Sequence, residues 1–152
     1  WVQSIDLMPS VLRLEGLEVP AGVQGGDIFE GTDVVYAEES HEGNVLEAVR
    51  ERRGTDEWKL LTANPGNPRG LPEEALFRVD FDPGESRNLA EAEPENLALA
   101  QRQLGTQRVR AREGAREAIA TELGEEELAQ NCALGYESRE SCCAQGLAQY
   151  CD

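Results

Sequence analysis

The chain is 152 residues long, with a formal net charge of -16 and only 39% hydrophobic and 5% aromatic residues. A field of that sign repels phosphate backbones and anionic membrane surfaces, which sets aside nucleic-acid and membrane binding as functions of the whole chain. The length suits one domain with a modest core, and no run approaches the roughly 18 apolar residues of a membrane span.

The chain opens on Trp1 rather than Met, which reads as a processed or trimmed product, and no signal peptide is visible within it. Residues 4–15 read as a helix, capped by Ser4 and stopped by Gly16. Ile5, Met8 and Leu12 share a face, with Leu7, Val11 and Leu14 beside them. So broad an apolar stripe calls for burial on more than one side. Pro9 marks the true first turn or a kink. Residues 17–33, punctuated by Pro20, Gly22, Gly25, Gly26 and Gly31, read as loop.

Residues 34–38 then read as a strand, 39–44 as a polar loop, 46–52 and 57–62 as a hairpin about a turn at 54–56, and 75–81 as a further strand. Between them, residues 63–72 carry three prolines and two glycines and cannot be regular structure. Asp82-Pro83-Gly84-Glu85 is a turn, with Pro preset at its second position. Residues 94–123 read as a helix that starts on Pro94, with Leu97, Ala100 and Leu104 sharing a face and Ala111, Ala115, Ala118 and Ile119 continuing a weaker one. Gly105-Thr106 is a candidate break in it, and a short helix over 125–133 follows Gly124. The last dozen residues have no periodicity. The expected fold is α+β: a small antiparallel sheet of about four strands flanked by an N-terminal helix and a longer C-terminal helix.

All four cysteines lie beyond residue 131, as Cys132, Cys142, Cys143 and Cys151. Their spacing matches no common zinc pattern and no His is near. Two readings stay open, incidental thiols or disulfides formed in a periplasmic or secreted setting. Adjacent Cys142 and Cys143 are not expected to pair with each other.

Several segments, in order, resemble the C-terminal subdomain of a sulfatase of the alkaline-phosphatase-like superfamily. Ser4, Asp6, Pro9, Ser10, Val11, Leu12 and Gly16 stand where that family has a helix near the end of its large domain, with Ser10 in place of its usual Thr. Pro20 and Gly25 follow, then Ala48-Val49-Arg50 and Trp58-Lys59-Leu60. Leu76-Phe77, Asp82-Pro83, Glu85 and Asn88-Leu89-Ala90 match the family's next segment, although Ala75 and Arg78 replace its usual acids. Leu134-Gly135-Tyr136 resembles the common family C-terminus, so the resemblance covers residues 1 to about 136. It implies that 1–33 pack on a large α/β domain, that 34–136 form the subdomain, and that 137–152 are a Cys-containing tail.

The family's C/S-x-P-x-R signature, whose Cys or Ser becomes formylglycine, does not occur in these residues. The resemblance therefore implies a piece of a sulfuric ester hydrolase that has no catalytic residues and no metal ligands of its own. The nucleophile and the calcium would reside in an N-terminal sulfatase domain, which is the expected partner, and a sulfate ester would be the substrate of the intact enzyme. A non-catalytic interaction module derived from a sulfatase is the alternative, and a scaffold joined to other chains through its cysteines is a third reading.

His41 and Asn44 are the candidate substrate-binding residues, because the resemblance implies that this loop faces the substrate. A solvent-exposed imidazole beside Glu39 and Glu42 is the competing reading of His41. Glu38, Glu39 and Glu42 form either a cation site or a solvated acidic loop. Arg50 and Lys59 on neighbouring strands are expected to pair with carboxylates across the sheet, or else to meet an anion.

Overall fold

In a computed structural model, which describes residues 1–113, 124–136, 138–144 and 146, the turn chemistry of the sequence becomes a four-stranded antiparallel meander. Its strands are β1 (Val34–His41), β2 (Asn44–Arg53), β3 (Asp56–Ala63) and β4 (Glu74–Arg78), lying side by side in chain order. Helix α1 (Leu7–Leu14) precedes the sheet and α2 (Pro94–Glu113) follows it. Two shorter helices, α3 (Glu125–Leu134) and α4 (Arg139–Ala144), come after. The fold class is α+β, as the sequence implies. The chain divides into two compact units, Trp1–Ala115 and Arg116–Asp152. The sequence reading draws its own boundaries at 33/34 and 136/137.

The register explains the core of the first unit. Val49 of β2 pairs with Leu60 of β3, and Leu60 with Leu76 of β4, so these three point to one face and are fully buried. Trp58 joins them, and α2 covers this face with Ala100 and Leu104, while half-buried Leu97 packs alongside. The helix starts on Pro94, whose missing N–H is not needed in a first turn. It runs unbroken through Gly105-Thr106, where a Cβ on Gly105 would meet nothing. Its expected continuation over 114–123 lies outside the described residues. The opposite face of the sheet carries a smaller cluster of Ala75, Phe77 and Val79, with Leu61 against it.

Three boundaries differ from the sequence reading. β1 runs to His41 and the polar loop shrinks to Glu42-Gly43, both at positive φ (50° and 78°), as a two-residue hairpin turn requires. β1 is an edge strand, where solvated polar side chains are compatible with the ladder, so the loss of apolar alternation after Ala37 does not end it. β4 ends at Arg78 because the N–H groups of Phe81 and Asp82 both turn back to the Arg78 carbonyl (3.1 and 2.9 Å), ahead of Pro83. Lastly, Ser4 does not cap the first helix. Residues Ser4–Asp6 form a 3₁₀ turn, and Pro9 sits in the first turn of α1 without a kink being needed.

In the turn after β4, Ser86 Oγ and Arg87 N–H both donate to the Asp82 carboxylate (3.0 and 2.9 Å). The backbone N–H groups of Arg87 and Ser86 hold Asp82 below the ordinary carboxylate range. Asn88 Oδ1 accepts from the N–H groups of Leu76 and Ala90, both at 3.0 Å, and its Nδ2 donates to the Glu74 carbonyl (3.1 Å). The outer edge of β4 is thereby closed by the Asn88 side chain, together with the Leu89 N–H on the Leu76 carbonyl (2.8 Å), rather than by a fifth strand. These residues serve structure, in line with the sequence reading of the turn.

Candidate functional site

His41 and Asn44 are brought together as the pair that closes the β1–β2 hairpin. The His41 side chain is 72% exposed at the tip, with Nε2 3.6 Å from a carboxylate oxygen of Glu42. Asn44 is only 5% exposed. Its Nδ2 donates to the His41 carbonyl (3.1 Å), and its Oδ1 is buried without a hydrogen-bond partner. Asn64 ties the same tip to the loop after β3: its Oδ1 accepts from Val45 N–H (2.9 Å) and its Nδ2 donates to the Gly43 carbonyl (3.0 Å). The hairpin thus offers the imidazole outward and spends the asparagines on holding it.

The acidic residues near the tip do not converge. Glu39 takes a two-point contact from Arg69 (3.0 and 2.6 Å), and Glu38 accepts from the Tyr36 hydroxyl (2.8 Å). Among the described residues, no group of three His, Cys, Asp or Glu side chains is placed to hold a metal ion.

Beside the hairpin opens a cleft of about 740 Å³, lined by Glu38, Glu39, Val45, Glu47, Arg108 and Arg112 among others. Arg108, on α2, forks onto Glu47 of β2, with Nε donating to Oε1 at 2.7 Å and Nη2 bonding Oε2. Tyr36 Oη lies 3.0 Å from the same carboxylate. This network was not singled out in the sequence. The only signal for it is Arg108 and Arg112 spaced one turn apart on α2, and nothing local tells that their partner lies 61 residues earlier. The Arg108 fork holds Glu47 below the ordinary carboxylate range, with Tyr36 assisting, and burial with the neighbouring carboxylates pushes the Tyr36 hydroxyl well up.

The sign for Glu47 follows from linkage. A carboxylate depressed in the folded state stabilises above its unfolded value, and that stability is lost as pH falls through the depressed value. Glu47→Gln is expected to cost about 1 kcal/mol near neutral pH. The gap between wild type and variant should close as pH drops below about 4. Thermal unfolding midpoints of both proteins across pH 2 to 7 measure this, and a gap that stays constant over the range contradicts it.

Arg50 and Lys59 find carboxylates, as expected from their strands. Arg50 Nη2 lies 2.6 Å from Glu57 of β3, and Lys59 Nζ lies 2.7 Å from both oxygens of Glu85 in the turn after β4. The guanidinium groups of Arg50 and Arg52 both lie over the Trp1 ring, 4.7 and 4.6 Å from its centroid.

Compared with protein-family models and with curated proteins, the chain matches none.

The most unusual surface of the first unit is α1. Its buried side carries Pro9 and Ser10, next to Asp6 of the preceding turn. Asp6 is 5% and Ser10 1% exposed, whereas Met8 is 61% and Leu14 65% exposed. Asp6 Oδ2 accepts from Gln3 N–H and Oδ1 from Gly26 N–H, both at 2.7 Å. Ser10 Oγ donates to the Asp6 carbonyl (2.6 Å) and accepts from Ile28 N–H (3.0 Å). Arg13 donates to the Gly26 carbonyl (2.9 Å). Loop residues 24–28 therefore clamp the buried side. Ile5, Leu7, Met8, Val11 and Leu14 are left facing water, with Val2, Leu17 and Phe29 also exposed. Among the described residues, no helix is long and apolar enough to cross a membrane.

Proposed function

We propose that this chain is the C-terminal subdomain of a sulfatase-like hydrolase, docked through α1 on a large α/β domain and forming one wall of the substrate cleft. The observation that carries the reading is the apolar face of the first helical segment, where Ile5, Leu7, Met8, Val11 and Leu14 stay exposed while Asp6, Pro9 and Ser10 are buried. A monomeric soluble protein rarely leaves so many large apolar side chains together in water. Each one buried on a partner contributes about 1.5 kcal/mol or more, so five of them are a strong docking surface.

The matching residues support the reading by what they do in the fold. Asp6, Ser10 and Gly25 build the α1 clamp, Lys59 and Glu85 pair across the turn, and Asn88 seals β4. In this reading the hairpin tip with His41, and the neighbouring cleft with Arg108 and Arg112, would contribute to choosing the organic part of the ester. Cleavage of the sulfur–oxygen bond would rest with the formylglycine and calcium of the docked domain, since the chain carries no C/S-x-P-x-R. A non-catalytic interaction module would present the same apolar face, and the partner's identity separates the two.

Two measurements test the proposal. The reading frame upstream of Trp1 is expected to encode C/S-x-P-x-R, and the 152-residue chain alone is expected to leave aryl sulfates intact. In the joined polypeptide, Met8→Asp with Val11→Asp should abolish soluble, active enzyme, while the same pair in the isolated chain leaves its unfolding midpoint nearly unchanged. Sulfatase activity of the isolated chain, or full activity of the doubly substituted joined polypeptide, overturns it.

A further inference from the structure

The second unit carries a different observation. Its only buried apolar side chains among the described residues are Cys132 and Cys142, and these two are joined to each other. Cys143 is disulfide-bonded as well, and no free cysteine is present among the described residues. Arg116–Asp152 is shorter than the roughly 40 residues below which a chain usually needs disulfides, metal or a partner to fold. α3 has ten residues and α4 six, and helices that short are marginal in water.

Local chemistry shapes these helices without making them stable. Gly135 takes the left-handed conformation after α3, with its N–H on the Cys132 carbonyl (3.2 Å) and the Tyr136 N–H on the Asn131 carbonyl (3.0 Å). Ser138 Oγ accepts from Ser141 N–H (3.1 Å) at the start of α4. A bridge closing a ring of this size restricts the unfolded ensemble by about a hundredfold in the folding equilibrium. We infer that the disulfides are the core of this unit, so that it folds only in an oxidising compartment and is opened selectively by a dithiol reductant. The chemistry is two-electron exchange. The dithiol gives two electrons and two protons to the Cys132–Cys142 bond, leaving two thiols and closing its own disulfide. The first unit contains no cysteine, so reduction leaves it standing.

The test uses the full chain, with dithiothreitol as the reductant and a glutamate-specific protease as the probe. Glu126, Glu127 and Glu140 are exposed sites within α3 and α4, and both tryptophans, Trp1 and Trp58, report on the first unit. Reduction is expected to speed cleavage at those glutamates at least about tenfold, because cleavage follows the open population. The tryptophan-detected unfolding midpoint should stay within about 2 °C, since the first unit holds both tryptophans and no cysteine. Cys132→Ser with Cys142→Ser should reproduce this without reductant, which covers the case in which the buried bond resists dithiothreitol. Unchanged cleavage in that double variant, free thiols in the untreated protein, or a tryptophan midpoint that falls in parallel each overturns the inference. None of these outcomes bears on the sulfatase reading, which rests on α1.

Discussion

Gly25→Ala is expected to cost about 3 kcal/mol or more, enough to threaten a domain whose whole stability is about 5 to 15 kcal/mol. Gly25 has φ +104°, a region that residues with a Cβ rarely occupy. A Cβ there would lie 2.2 Å from the Ile5 carbonyl oxygen and 2.7 Å from its carbon. Those are backbone atoms, which cannot rotate aside as a side chain would. To admit the methyl, loop 24–28 must lift from α1, breaking the Gly26–Asp6 and Ile28–Ser10 hydrogen bonds. Gly16 is the control, since it also has positive φ (+69°) but its added Cβ meets nothing within 4 Å. Gly16→Ala is therefore expected to cost only about 1 kcal/mol. Urea unfolding of the two variants measures the difference. Equal losses would mean that the close approach of loop to helix is not as described.

Leu60→Ala is expected to cost about 3 kcal/mol, within the range for buried leucines. Leu60 is fully buried in the third strand, with Val49 and Leu76 on either side and α2 above. Truncation leaves a void that neither the flanking strands nor the helix can fill without moving the ladder. Leu61, one residue on, points to the opposite face and is half-buried against Ala75, Phe77 and Val79. Leu61→Ala should cost clearly less. The pair tests the register, because a one-residue slip would exchange the two losses. Denaturation midpoints at equal slope give the comparison.

The sheet was readable in the sequence where turn chemistry punctuates it. Gly54 marks where β2 reverses into β3, the Asp82-Pro83-Gly84-Glu85 turn marks the exit from the sheet after β4, and Pro94 marks the start of α2. Arg50 meets Glu57 diagonally across β2 and β3, a local consequence of strand pairing, whereas the partner of Lys59, Glu85, lies in the turn after β4 and depends on the chain folding back beyond the sheet. The end of β1 was not readable, since the edge position of Glu38 to His41 removes the apolar alternation by which a strand is recognised. Residue type points to Ser4 as the cap, but the carboxylate of Asp6 takes the Gln3 and Gly26 N–H groups instead. For the candidate site, the hairpin pair of His41 and Asn44 was visible as a polar cluster. The burial of Asn44 was not, because it depends on the Asn64 loop folding back onto the tip.

Local chemical character was enough to set the kinds of elements and their order here, because turn glycines, prolines and apolar spacing act over a few residues. Which side of α1 faces inward and which carboxylate meets Arg108 were settled by segments far apart in the chain. A helix with polar residues on one side and apolar residues on the other reads the same whichever side is covered. The covering loop makes the choice, because the N–H groups of Gly26 and Ile28 need acceptors and find them on Asp6 and Ser10.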